Sequence, residues 1–205
     1  SAACDADVIL LDLRLPDMSG FEVRRVGREL HRTFLALRTS EMPIIAAIDG
    51  LCLGAGLELA ISCDFMIATD RSRFGLPNID RGIPAIVEAA ILPMAIGIQG
   101  AREMAYTGEF WDATKAERRG LLHAVVPREA FTAEIDAWVD RLAHKPAPAL
   151  ATQKEIIHKW MTTDLESAID FSINTVVLNW LTRDQKEGMG SFLEKRESLF
   201  GRGES

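Results

Sequence analysis

The residues best suited to chemistry lie between Pro43 and Asp64, in PIIAAIDGLCLGAGLELAISCD. Gly50, Gly54 and Gly56 fall where a buried strand gives way to a helix, and Glu58 follows two positions after the last of them. Glycines without side chains let backbone come close to a ligand. The unpaired N–H groups of a helix's first turn can meet developing negative charge. A backbone donor beside a carboxylate suits a reaction in which a carbonyl becomes an oxyanion while a neighbouring carbon gains or loses a proton. The same residues also make an ordinary tight strand–helix turn, with a first-turn glutamate favoured by the helix dipole.

The elements that must position this segment can be read from periodicity. In GFEVRRVGRELHRTFLAL, Val23, Val26, Leu30, Phe34 and Leu37 recur at three- and four-residue steps, which predicts an amphipathic helix from Gly20 to Leu37. Val8–Leu11 is a strand candidate, and IIAAI after Pro43 has the continuous apolar character of a strand buried on both faces. FMIAT and the end of AERRGLLHAVVP are further strands, and DRSRFGLPNIDRGIP reads as a loop. Residues 85–106 are apolar, with Pro93 and Gly97 expected to divide them into short helices. Everything after Phe131 is helical in pattern, with breaks expected at KPAPA and at Gly188. Strands alternating with helices imply an α/β core over residues 1–130, and residues 131–205 form a helical C-terminal region.

The chain has 205 residues, enough for one domain with a real core. Lys+Arg 23 against Asp+Glu 30 gives a net charge of -7, which disfavours duplex DNA or an anionic membrane as partner. Cys4, Cys52 and Cys63 are an odd number, so a reducing, cytoplasmic setting is expected rather than a disulfide framework. Apolar runs break before about 18 residues, so no membrane span is indicated. No basic-then-apolar leader pattern is present, and the opening SAACDAD reads like the middle of a domain.

IIAAIDGLCLGAGLELAISCDFMIAT resembles the signature of the enoyl-CoA hydratase/isomerase (crotonase) family. FGLPNIDRGIP looks like that family's second active-site loop, AREMAYTGEFWDATKAERRGLLHAVVP like its adjoining helix, turn and strand, and RDQKEGMGSFLEKRESLF like its terminal helix. The resemblance covers about residues 43–205. It implies an α/β crotonase-like spiral of ββα units, with a helical C-terminal region that supports trimers or dimers of trimers. It implies an acyl-CoA substrate, coenzyme A being part of the substrate, with no separate cofactor. The thioester oxygen would lie between the N–H of Ala55, in LGAGLE, and that of Ala2, because SAACD resembles the family's other oxyanion motif. Ala3 and Asp5 of that motif, with Leu53, Gly54 and Pro77, would contact substrate. On this reading the preceding strand and adenine-binding segment are missing.

The resemblance places one acid/base at Glu58 and the second after the loop's proline, where this chain has Asn78. A carboxamide can orient a water but has no usable titration, so two-glutamate hydration is in doubt. Asn78 does not redirect the reading neatly to double-bond isomerisation. The expectation is a hydratase-type enzyme of acyl-CoA thioesters, with an enoyl-CoA isomerase or a non-catalytic acyl-CoA-binding homologue as alternatives. Glu88, in PAIVEAAILP, could substitute for the second carboxylate if its helix turned inward; otherwise it reads, like Asp80, as an exposed or capping acid.

Residues 7–23, DVILLDLRLPDMSGFEV, resemble part of a response-regulator receiver domain, with Asp12 in the phospho-acceptor position. That alternative needs an upstream acidic pair to hold magnesium, and only six residues precede Asp7. His31, His123, His144 and His158 show no ligand spacing, so no metal site is expected. Cys52 and Cys63 read as small buried hydrophobes. Trp160, Trp180 and Phe171 read as core or subunit-contact residues, and Lys195 and Arg196 as a solvated helix end.

Overall fold

A computed structural model describes residues 19–85 and 87–200. Helix α1 spans Gly20–Arg38. It starts because Ser19 Oγ accepts the N–H of Glu22 while the Glu22 carboxylate accepts the N–H of Ser19, satisfying two orphan groups at once. Phe34 is its buried anchor, and Val23, Val26, Leu30 and Leu37 line the same half-buried face.

Among the described residues, six short strands form two sheets. Strands β1 (Ile45–Ile48), β3 (Phe65–Thr69) and β6 (Ala124–Val126) are parallel, with Ala46 opposite Met66 and Ala68 opposite Val125. Strands β2 (Leu51–Leu53) and β4 (Arg73–Gly75) are parallel, and β5 (Trp111–Asp112) pairs antiparallel with β4. Helix α2 is Ala55–Ala60 and α3 is Leu92–Thr107. The sequence strand–strand–helix therefore occurs as β1–β2–α2 and again as β3–β4–α3, with equivalent strands side by side. Gly50 (φ 125) carries the chain from the first sheet to the second. Its N–H donates to Ser72 Oγ, which itself donates to Ile48 O.

The core packs between the sheets and helices around Leu57, Phe74, Leu76, Leu92, Met104 and Trp111, all essentially inaccessible. Helices α4 (Ala113–Arg118), α5 (Phe131–Ala143), α6 (Ala147–Thr162), α7 (Leu165–Trp180) and α8 (Arg183–Glu194) complete the described chain. Lys154 of α6 docks that helix on the core. Its ammonium, 6% exposed, donates to Asp64 Oδ2 (2.6 Å), Leu37 O (2.7 Å), Ser40 Oγ (2.8 Å) and Met42 O (3.0 Å). None of the described helices is long and apolar enough to cross a membrane.

Several expectations change. The glycine-rich turn contains β2, and the loop at 70–84 contains β4 and a 3-10 turn, Ile79–Arg81. Pro93 opens α3 instead of breaking it, since an N–H at the first turn has no helical partner to lose. Gly97 does produce the kink, at φ 70 and ψ 161. Gly188 does not interrupt α8, and the space beside it is taken by the Phe200 ring. Trp160 and Trp180 are exposed in this chain rather than in its core. The strand candidate Val8–Leu11 lies outside the described residues.

Candidate active site

Strand β2 leaves its sheet at Gly54, whose N–H donates to Gly75 O at 2.9 Å and so ties the turn to β4. Gly54 has φ 54 and ψ -125, a combination that side chains with a Cβ strongly disfavour. This turn aims the first residues of α2 away from the strand. Glu58 N–H to Gly54 O (3.0 Å) is the first helical bond, and the Ala55 N–H, which precedes it, has no acceptor among the described residues.

Glu58, one turn along α2, is 2% exposed. Its Oε2 accepts the backbone N–H of Glu88 at 2.8 Å. Burial pushes its carboxyl above the ordinary glutamate value. The Glu88 N–H pulls it back, the Glu88 negative charge adds to the push, and the N–H groups of Val87 and Ala89 oppose it. A buried acid of this kind holds a proton to higher pH than a surface glutamate and can return it to carbon.

Asn78 stands at the head of the 3-10 turn Ile79–Arg81, its carbonyl accepting from Arg81 and Ile83 N–H. Its Oδ1 lies 3.5 Å from where a Cβ on Gly54 would sit, so the carboxamide packs against the start of α2. Pro77 precedes it, and its carbonyl accepts from the Arg81 guanidinium. The fold thus brings Leu53, Gly54, Ala55, Pro77 and Asn78 to one end of α2, with Glu58 on the same helix. Ala2, Ala3, Asp5 and Asp12 lie outside the described residues.

Glu88 corrects an expectation: it is neither exposed nor a cap. It is 2% exposed, and its Oε1 accepts from Arg38 Nη1 and His31 Nδ1, each at 2.8 Å. Burying a lone carboxylate is too costly without such partners. Asp80 stays exposed, as expected. The signal for Glu88 was a single charge inside an apolar run. Its partners, seven residues apart on one face of α1, could not be paired with it from spacing along the chain.

The turn that carries Glu88 also borders a cavity of about 250 Å³ lined by Leu76, Ala85, Val87, Ala89, Leu92 and Ala105, among others, and Glu58 is not among its lining residues. Among the described residues, no three His, Cys, Asp or Glu side chains gather as metal ligands.

Residues 22–203 match the family model described as enoyl-CoA hydratase/isomerase. The chain belongs to the enoyl-CoA hydratase/isomerase family. It is 35% identical over 187 residues to a crotonyl-CoA hydratase of Syntrophomonas wolfei, covering 91% of this chain and 72% of that protein. It is 36% identical over 159 residues to a probable enoyl-CoA hydratase of Rhizobium meliloti, covering 77% of this chain and 62% of that protein. This family member therefore spans only about two thirds of the length of such relatives. An enoyl-CoA hydratase structure from Mycobacterium smegmatis superposes with a TM-score of 0.87 at 31% identity, covering 90% of this chain and 72% of that one. Human enoyl coenzyme A hydratase domain-containing protein 3 gives 0.82 at 30% identity, covering 88% and 72%. The crotonase fold is thereby established for this family member.

Proposed function

We propose that the protein adds water reversibly to the double bond of an enoyl-CoA thioester, with Glu58 as the single proton-carrying side chain. The observation that carries this is a free N–H on the first residue of α2 and a buried carboxyl, its proton affinity raised by burial, one turn later. The Ala55 N–H, aided by that of Ala2, stabilises the thioester oxygen as charge builds there. Glu58 takes a proton from water as its oxygen bonds to the β-carbon, and the electron pair of the double bond moves onto the thioester as an enolate. Glu58 then returns the proton to the α-carbon. Asn78 can hold the water by hydrogen bonds but cannot exchange its proton. Leu53, Gly54 and Pro77, with Ala3 and Asp5, are the positions read as touching substrate, and coenzyme A enters as part of that substrate.

The same reading takes the repeated β–β–helix units as turns of a spiral and residues 131–205 as the assembly region of a trimer, or dimer of trimers, in the cytoplasm. Exposed Leu165, Ile173, Leu178, Trp180, Leu181 and Phe192 on and around α7 and α8 support the assembly, because monomers rarely leave so much apolar surface uncovered. Light scattering of the purified chain measures it.

The chemistry is tested by loss of the conjugated-thioester absorbance when the protein meets crotonyl-CoA, with Glu58→Gln and Asn78→Glu alongside. Turnover that depends on Glu58 supports the proposal. An inert parent that still binds the CoA ester, with turnover appearing in Asn78→Glu, would select a binding protein instead.

A further inference from the structure

Glu88, Arg38 and His31 form a cluster around a buried carboxylate that the proposed chemistry does not use. The Glu88 carboxylate is held on one oxygen by two donors from α1, while its other oxygen and the Arg38 Nε are buried with no partner among the described residues. Arg38 is 13% exposed and His31 52%, so the pair reaches inward from the surface end of the cluster. The backbone N–H of this same Glu88 is the group that donates to Glu58. One residue therefore joins α1, through its side chain, to Glu58 of α2, through its main chain.

We propose that the Arg38–Glu88–His31 cluster is the positioning unit for Glu58, clamping the turn at Val87–Ala89 so that the Glu88 N–H stays on Glu58 Oε2. The inference rests on the acid/base reading of Glu58, and it makes Glu88 a positioning residue rather than a catalytic one. Two opposed effects pass through it. The clamped N–H stabilises the Glu58 carboxylate, whereas the Glu88 negative charge disfavours it. The ionisable groups facing the cluster are His31 and Arg38 from α1, Glu58 from α2 and, beyond Arg38, His158 from α6. Burial, then Arg38 and Lys159, hold the His158 imidazole below its ordinary value, so it adds little charge near neutral pH.

The test follows the Glu58 carboxyl by infrared difference spectroscopy against pH, assigning its band by its loss in Glu58→Gln. In Glu88→Gln the charge is gone while an amide can still meet Arg38, so the Glu58 midpoint moves down. In Arg38→Met the clamp is lost and the N–H leaves Glu58, so the midpoint moves up. His31→Ala, at the half-exposed end, moves it up less and serves if Arg38→Met does not fold. The acid limb of the kcat profile on crotonyl-CoA shifts in the same directions, with KM changing less than kcat. Folded variants whose midpoints stay put, or all move one way with falling stability, overturn the proposal. Because the infrared titration needs no substrate, midpoints that move as stated in a protein without turnover support the clamp and refute only the hydration reading.

Discussion

Gly54→Ala and Gly56→Ala make the same chemical change two residues apart and should have opposite consequences. At Gly54 an added Cβ would meet only Asn78 Oδ1, at 3.5 Å, which is ordinary contact, so crowding is not the cost. The cost is the backbone: φ 54 with ψ -125 is glycine territory, and holding alanine there costs about 1–3 kcal/mol. At about 2 kcal/mol, a chain of this size loses about 4–8 °C in Tm. The turn can escape that strain only by rotating the peptide that leads into α2. That would redirect the Ala55 N–H, and losing one such donor costs about 100- to 1,000-fold in kcat. Gly56 has no positive φ and no atom within 4 Å of an added Cβ. Alanine there removes unfolded-state freedom and gains about 0.4–1 kcal/mol. Thermal melts of both variants, with crotonyl-CoA turnover beside them, decide the matter. A Gly54→Ala protein that keeps both its Tm and its rate, or a Gly56→Ala protein that melts as low as Gly54→Ala, would refute the assignment of this turn.

Glu58 makes a signed prediction about stability and pH. Its folded value lies above the ordinary 4.5, so the native state binds its proton more tightly than the unfolded chain does. The contribution is complete below about 4.5 and is lost as pH rises through the folded value. The Tm of the parent measured against Glu58→Gln, which cannot ionise, should therefore fall steadily over that window, and a constant difference would contradict the burial. Lys154→Met should lower unfolding free energy by about 3 kcal/mol in urea melts. That is the low end for breaking a buried pair, because Asp64 is 27% exposed and can recover water. A loss below about 1 kcal/mol would mean that α6 does not depend on this ammonium for docking.

The parts of the fold that could be read from the chain are those whose signal is local. The face of α1 repeats at helical spacing and buries Phe34, and FMIAT is apolar because β3 is covered on both sides, whereas β1, read from IIAAI as covered on both, buries Ile48 and leaves Ala47 exposed. Gly97 was legible as a break because no other residue would adopt its φ cheaply. Strands β2 and β4 were not legible: three residues are too few to show alternation, and each exists because the other lies alongside it. The site divides in the same way. Ala55 and Glu58 sit on one short helix behind one glycine turn, so their relation is written in consecutive residues.

Glu88 shows what a local reading leaves out and also how a stricter one recovers part of it. A charge inside PAIVEAAILP must reach water, find a partner or take up a proton, because the apolar run around it offers no fourth choice. Both partners belong to α1, and only the folded chain brings Arg38 and His31 to the same oxygen. With a carboxamide at Asn78 and a salt-bridged carboxylate at Glu88, the described end of α2 has one acid free to move a proton. Burial raises its proton affinity first, and how the 87–89 turn is held adjusts it. The packing of α1, far from any reacting atom in sequence, is thereby a term in the chemistry.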